Sequence, residues 1–156
     1  MEQVREIVAY HTSKPDGGWS YVWNNAPFFS KQGTHQQPKW LTDGYYFWTD
    51  SEHFAHRWGE SALAGSYAIS RCTVTIEPSK LLDLVGNVED QLYFEGLLNK
   101  VAARYRRVNR ALTEVTVPAI IQWARDKNLF PFAAVKAVDN PNGSNSVPYT
   151  QRLCAE

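Results

Sequence analysis

From Lys14 to Asp43 the chain is rich in glycine, proline, asparagine and glutamine, and it also carries Trp19, Tyr21, Trp23, Phe28, Phe29 and Trp40. A connection of this length inside a compact domain is either functional or carries short helices of its own. The elements around it are short and mixed. Upstream, "REIVAYHTS" alternates and ends in small polar residues, which predicts a strand over Ile7–Tyr10 running into a loop. Downstream, "GYYFW" is a second strand candidate. Thr49 and Glu52 have the spacing of a capping box, and Phe54, Ala55, Trp58 and Ala62 then fall on one helical face.

The rest of the chain continues the mixture. "SYAISRCTVTIE" alternates with a slip at Ser70 and Arg71, which predicts a long strand with a bulge. A helix is expected over most of Val88–Arg110, and another from Thr116 to Lys127, capped by Thr116 with Pro118 in its first turn. "FPFAAVKAVDN", "PNGSNSVP" and "YTQRLC" read as strand, polar turn and strand. Such an order has more strands than a bundle and no regular βαβ alternation, so the class is α+β.

Composition narrows the function. At 156 residues the chain is expected to form one domain, 1–156, with a core that needs no staples. Sixteen basic and sixteen acidic residues balance, so no global charge argues for a polyanion or a membrane surface, and any nucleic-acid contact has to be local. Cys72 and Cys154 form no CxxC pair and are too few for a disulfide framework, which predicts a reducing, cytoplasmic setting. The charged start "MEQVREIVAYHTS" lacks the apolar run of a signal peptide, and no apolar stretch approaches roughly twenty residues. The expectation is a soluble protein with no membrane partner, although a delivered domain cut from a longer chain would read the same way.

Two short stretches carry chemistry. "AYHTS" ends a strand on His11, Thr12 and Ser13; "DGYYFWTD" sets Gly44, Tyr45, Tyr46 and Phe47 just before a helix. Together, in this order, they resemble the ADP-ribosyltransferase superfamily, in the branch shared by diphtheria-like toxins and poly(ADP-ribose) polymerases. That branch has a histidine on its first strand, a G-x-Y-F strand leading into a helix, and a glutamate on a late strand. The resemblance implies an ADP-ribosyltransferase-like split antiparallel β-sheet core with flanking helices, and NAD+ as co-substrate.

It also implies residue roles. His11 would hold a ribose hydroxyl, Ser13 the nicotinamide amide, and Tyr46 would stack on the nicotinamide ring, with Thr12, Gly44 and Tyr45 lining the cofactor site. Gly44 would let the backbone approach closely. Gln151 stands where the family has its glutamate. A glutamine can hydrogen-bond a ribose hydroxyl but cannot act as a base, which favours transfer of a single ADP-ribose unit over chain elongation. The family's second stacking tyrosine falls at Arg57.

Each of these residues also has an ordinary reading. A strand-end histidine is commonly a satisfied polar group, two of Tyr45–Trp48 must be core if the segment alternates as a strand, and Gln151 could be an edge-strand glutamine. His53 and His56, with Glu52 and Glu60 nearby, share a helical face, but no third ligand follows at a recognisable spacing and no metal is expected.

The acceptor is sought in "NKVAARYRRVNR", where Lys100, Arg104 and Arg107 form one helical stripe with Arg106 and Arg110 beside it and Tyr105 between. Cations interleaved with an aromatic can track a phosphate backbone and stack a base, and a solvated helix face is the alternative. The expectation is therefore a mono-ADP-ribosyltransferase acting on RNA, DNA or a protein side chain. It would be a bacterial toxin of a toxin–antitoxin or phage-defence system, with an antitoxin protein as partner. A catalytically silent module of the same fold that binds nucleotide, nucleic acid or protein is the competing expectation, and NAD+ hydrolysis without an acceptor is a third.

Overall fold

The computed structural model describes residues 4–31, 41–112 and 115–138. Among the described residues it is a mixed α+β structure with four helices and a small antiparallel sheet, in agreement with the class expected from the sequence. The described residues form two compact units, the first within 1–32 and 43–78, the second within 33–42 and 79–156.

In the first unit, strand β1 (Arg5–Ser13) pairs antiparallel with β3 (Ala68–Ile76) in unbroken register from Arg5 opposite Ile76 to Ser13 opposite Ala68. The bulge expected at Ser70–Arg71 is therefore absent, and both residues take ordinary ladder positions opposite His11 and Tyr10. On its other side β1 pairs with the two-residue strand β2 (Trp48–Thr49), through Tyr10 and Ala9. β1 is thus central, which puts Ile7, Ala9, His11 and Ser13 on one face of the sheet and Val8, Tyr10 and Thr12 on the other. The strand expected over "GYYFW" is cut to its last position. Gly44 forms an isolated bridge with Ser30, and the Tyr46 carbonyl accepts from a side chain, so Tyr45–Phe47 has no ladder to join.

The long connection does carry a helix, α1 (Trp19–Asn25). Gly17 and Gly18 turn the chain into it with φ of +82° and +84°, and a Cβ on Gly17 would lie 2.8 Å from the ring of Tyr21. Helix α2 (His53–Ala62) begins differently from the expected capping box: Asp50 turns with φ +72°, Thr49 donates to Asp50, and Ser51 Oγ accepts from the His53 N–H at 3.2 Å. The turn leaves Thr49 in β2, away from the first helical turn.

The buried face of α2 also differs. Ala55 and Gly59 are buried, whereas Phe54, Trp58 and Ala62 are exposed. The Tyr67 ring explains it, because a Cβ on Gly59 would sit 2.4 Å from that ring, so only a small side chain fits beneath it. Gly59→Ala is expected to destabilise the protein by about 1–3 kcal/mol through this overlap. A urea midpoint unchanged from wild type would show that Tyr67 can swing aside.

A 3-10 turn (Pro78–Lys80) leads into β4 (Leu81–Asp83) of the second unit, which pairs parallel with β5 (Ala134–Lys136). Strand β5 falls within the expected "FPFAAVKAVDN" segment, while "PNGSNSVP" and "YTQRLC" lie outside the described residues. Helix α3 (Val88–Arg107) is capped by Asn87, whose side-chain oxygen accepts from Glu89 and Asp90 N–H. Helix α4 (Val117–Asp126) starts as expected: Thr116 accepts from the Ala119 N–H and Pro118 occupies the first turn. Phe94, Leu97 and Val101 of α3 meet Ile120, Ile121 and Ala124 of α4 with Leu82 and Leu84 in one core.

Candidate functional site

His11 is 6% exposed on the central strand of the first unit, and both ring nitrogens are engaged. Nδ1 lies 2.9 Å from the Tyr46 carbonyl, and the Phe28 N–H lies 3.1 Å from Nε2. A carbonyl only accepts and an amide N–H only donates, so Nδ1 carries the proton and Nε2 offers its lone pair. The imidazole thus holds two loops at once. Those loops also hold each other through the Ser30–Gly44 pair, with N···O distances of 2.8 and 3.0 Å. Phe28 and Phe47 flank the ring at centroid distances of 6.0 and 5.9 Å.

The other residues of the first motif divide by strand alternation. Thr12 points to the opposite face and its hydroxyl donates to the Ala55 carbonyl at 3.0 Å, fastening α2 to the sheet. Ser13 returns to the face of His11; its Oγ is buried and has no hydrogen-bond partner among the described residues. A buried hydroxyl without a partner is costly, and a ligand with an amide group would relieve that cost.

In the second motif, Gly44 has a φ that any residue adopts, and a Cβ there would meet nothing within 4 Å. Glycine at this position is therefore not required by the packing, and open space adjoins it. Tyr46 is half-buried and supplies its carbonyl to His11, while Tyr45 is exposed and packs edge-on against Phe29 at 5.3 Å. Phe28 is the participant that the sequence reading did not single out. Its signal was the aromatic content of the long connection, which does not say which backbone amide turns inward.

Gln151 lies outside the described residues. Arg104, Arg106, Arg107 and Arg110, with Lys100, are exposed at the C-terminal end of α3 and just beyond it, in the second unit. Arg110 lies 4.5 Å above the Tyr105 ring, so one face of that half-buried tyrosine is already covered. His56 Nδ1 lies 3.0 Å from the Tyr67 hydroxyl, and His53 packs edge-on against Phe54. Among the described residues no three His, Cys, Asp or Glu side chains come together as a metal site. Burial pushes the Cys72 thiol up from its ordinary range, and its S–H donates to the Ser70 carbonyl, so it is not poised as a thiolate nucleophile. No described helix is long and apolar enough to cross a membrane.

Compared with family models, curated proteins and solved structures, the chain gives no significant match to any.

Proposed function

We propose that this chain is an NAD+-dependent mono-ADP-ribosyltransferase with an ADP-ribosyltransferase-like fold. The observation that supports the reading most is the His11–Tyr46 hydrogen bond, which joins the "HTS" and "GYYF" stretches although they are 35 residues apart in sequence. Ser13 Oγ, buried and unpartnered on the same strand face, fits the nicotinamide carboxamide. The space beside Gly44 fits a close approach of the cofactor, and Tyr46, with Tyr45 beside it, offers a ring for stacking.

The reaction breaks the bond between ribose C1′ and the nicotinamide nitrogen through an oxocarbenium-like state. Nicotinamide leaves with the electron pair, the acceptor nucleophile bonds to C1′, and the acceptor's proton passes to solvent, since the glutamine at 151 cannot take it. The protein's work is to hold the dinucleotide bent and the acceptor close. For His11 to hold a ribose hydroxyl, that hydroxyl has to replace the Phe28 N–H at Nε2, so binding releases the Phe28 segment.

In this reading the acceptor is a nucleic acid contacted by Arg104, Arg106, Arg107 and Arg110, ahead of a protein side chain. The biological role is that of a cytoplasmic toxin of a toxin–antitoxin or phage-defence system, held by an antitoxin protein. One observation favours the silent-module reading instead: both His11 nitrogens already hold backbone groups, as a purely structural histidine would.

Labelled NAD+ incubated with the protein and a cell lysate separates the two. Label that becomes attached to material destroyed by nuclease is the expected result. Label destroyed by protease would move the acceptor to a side chain, and no transfer at all would leave the silent module. Gly44→Ala sharpens the test, because a methyl there meets no protein atom. Stability is expected to stay within about 0.5 kcal/mol of wild type, while transfer falls at least about tenfold as the methyl enters the cofactor's space.

A further inference from the structure

We propose that residues 26–29 form an autoinhibitory strap, which NAD+ has to displace before His11 can hold its ribose. The inference rests on the transferase reading and adds a regulation to that site. The lone pair on His11 Nε2 is the only one the ring offers, because the Tyr46 carbonyl fixes the proton on Nδ1. The Phe28 N–H occupies that lone pair at 3.1 Å. A ribose hydroxyl entering there replaces one donor by another, so the ring keeps its tautomer and its bond to Tyr46. The cost of entry is therefore the cost of moving the strap, and the apparent affinity for NAD+ is reduced by the fraction of molecules in which the strap is closed.

Both ends of the strap are fixed. At one end the Ala26 N–H donates to the Val22 carbonyl at 2.9 Å, closing α1, and Val22 is buried. At the other, Ser30 is paired with Gly44 through two backbone hydrogen bonds. Between them Phe28 is half-buried, and its ring stacks on Tyr21 with an interplanar angle of 14°. Tyr21 in turn lies against Gly17, where a positive φ and the missing Cβ make room for its ring. Tyr21 is exposed on its other side, so it backs Phe28 without belonging to the core.

This arrangement sets the strap apart from a covering loop. A loop that closes over a ligand gains contacts as the ligand binds, whereas this strap gives up a hydrogen bond and the packing of the Phe28 ring on the imidazole. Anything that weakens the strap without touching His11 therefore strengthens binding.

The test removes the donor and leaves the ring: an ester replaces the amide between Pro27 and Phe28, introduced on the full chain with the α-hydroxy analogue of phenylalanine. NAD+ affinity, measured by calorimetry, is expected to rise roughly three- to tenfold, the worth of one neutral hydrogen bond. Tyr21→Ala is expected to raise it by a smaller factor. General loosening of the fold would weaken binding instead, and circular dichroism checks that the fold persists. In the wild type, saturating NAD+ is expected to speed hydrogen exchange at the Phe28 amide, which is easily isolated because Pro27 has none. Equal or weaker NAD+ binding by the ester protein, or exchange at Phe28 slowed by NAD+, overturns the strap and leaves the transferase reading standing. NAD+ bound by neither protein overturns both, and NAD+ bound by the ester protein alone supports both.

Discussion

His11→Ala is expected to lower the free energy of unfolding by about 2–4 kcal/mol, whatever the chain's activity. The alanine methyl reaches neither the Tyr46 carbonyl nor the Phe28 N–H, so a single truncation removes both hydrogen bonds. The ring is 6% exposed, so water does not simply take its place, and Phe28 and Phe47 lose the surface they pack on. Urea unfolding monitored by tryptophan fluorescence measures the change. A loss below about 0.5 kcal/mol would mean that the two loops do not depend on the imidazole. The same result would free His11 from its structural duty and strengthen its assignment to a ligand. Loss of transfer in His11→Ala therefore has meaning only beside this stability measurement.

Phe94→Ala is expected to be costlier still, about 3–5 kcal/mol. Phe94 is 1% exposed in a cluster with Leu82 of β4, Leu84 just after it, Leu97 and Val101 of α3, and Ile120 and Ile121 of α4. Its removal leaves a ring-sized cavity walled by side chains of α3, α4 and the β4 segment, which can relax only partly to fill it. Thermal unfolding should show the midpoint falling by many degrees, and Phe94→Leu should recover most of the loss by refilling the volume. A Phe94→Ala midpoint within a degree or two of wild type would be incompatible with the packing described.

How much was legible in the sequence varied with the kind of signal. Helix α4 was, because Thr116 and Pro118 act within one turn of the residues they cap. So was α3, whose apolar period is sustained over several turns. Strand β1 was recognised from its alternation, but it extends further at both ends because β3 supplies a partner for every residue. Helix α2 was recognised as an element, and of its expected inward face Ala55 is buried while Phe54, Trp58 and Ala62 are exposed. Phe54 and Trp58 look like core on hydrophobicity, yet Tyr67 occupies the space over Gly59 from outside the helix. Strand β4, three residues long, left no periodicity to find.

At the candidate site the proximity of the two motifs was anticipated only through a resemblance. The partners of His11 could not be, because they are backbone groups of Phe28 and Tyr46, and a backbone amide is the same in every sequence. Ser13 was assigned a polar partner on the resemblance; within the described residues its hydroxyl has none, a fact that depends on burial and on no property of serine itself.

The unbroken ladder between β1 and β3 bears on how the protein comes off the ribosome. In sequence, α1, β2 and α2 all lie between those two strands, so β1 emerges first and waits until Ile76 has left the exit tunnel before its register can close. Joining distant strands is entropically slow compared with the local contacts that build a helix such as α3. During that wait the nascent chain displays a strand that β2 can pair only at Ala9 and Tyr10, near the aromatic stretch from Gly17 to Ser30 that carries no charged residue. An open strand of this kind is prone to mispairing with a neighbouring chain. Synthesis of this protein is therefore exposed to crowding on polysomes at its first strand, and a chaperone that shields residues 5–30 until translation passes residue 76 would raise its yield.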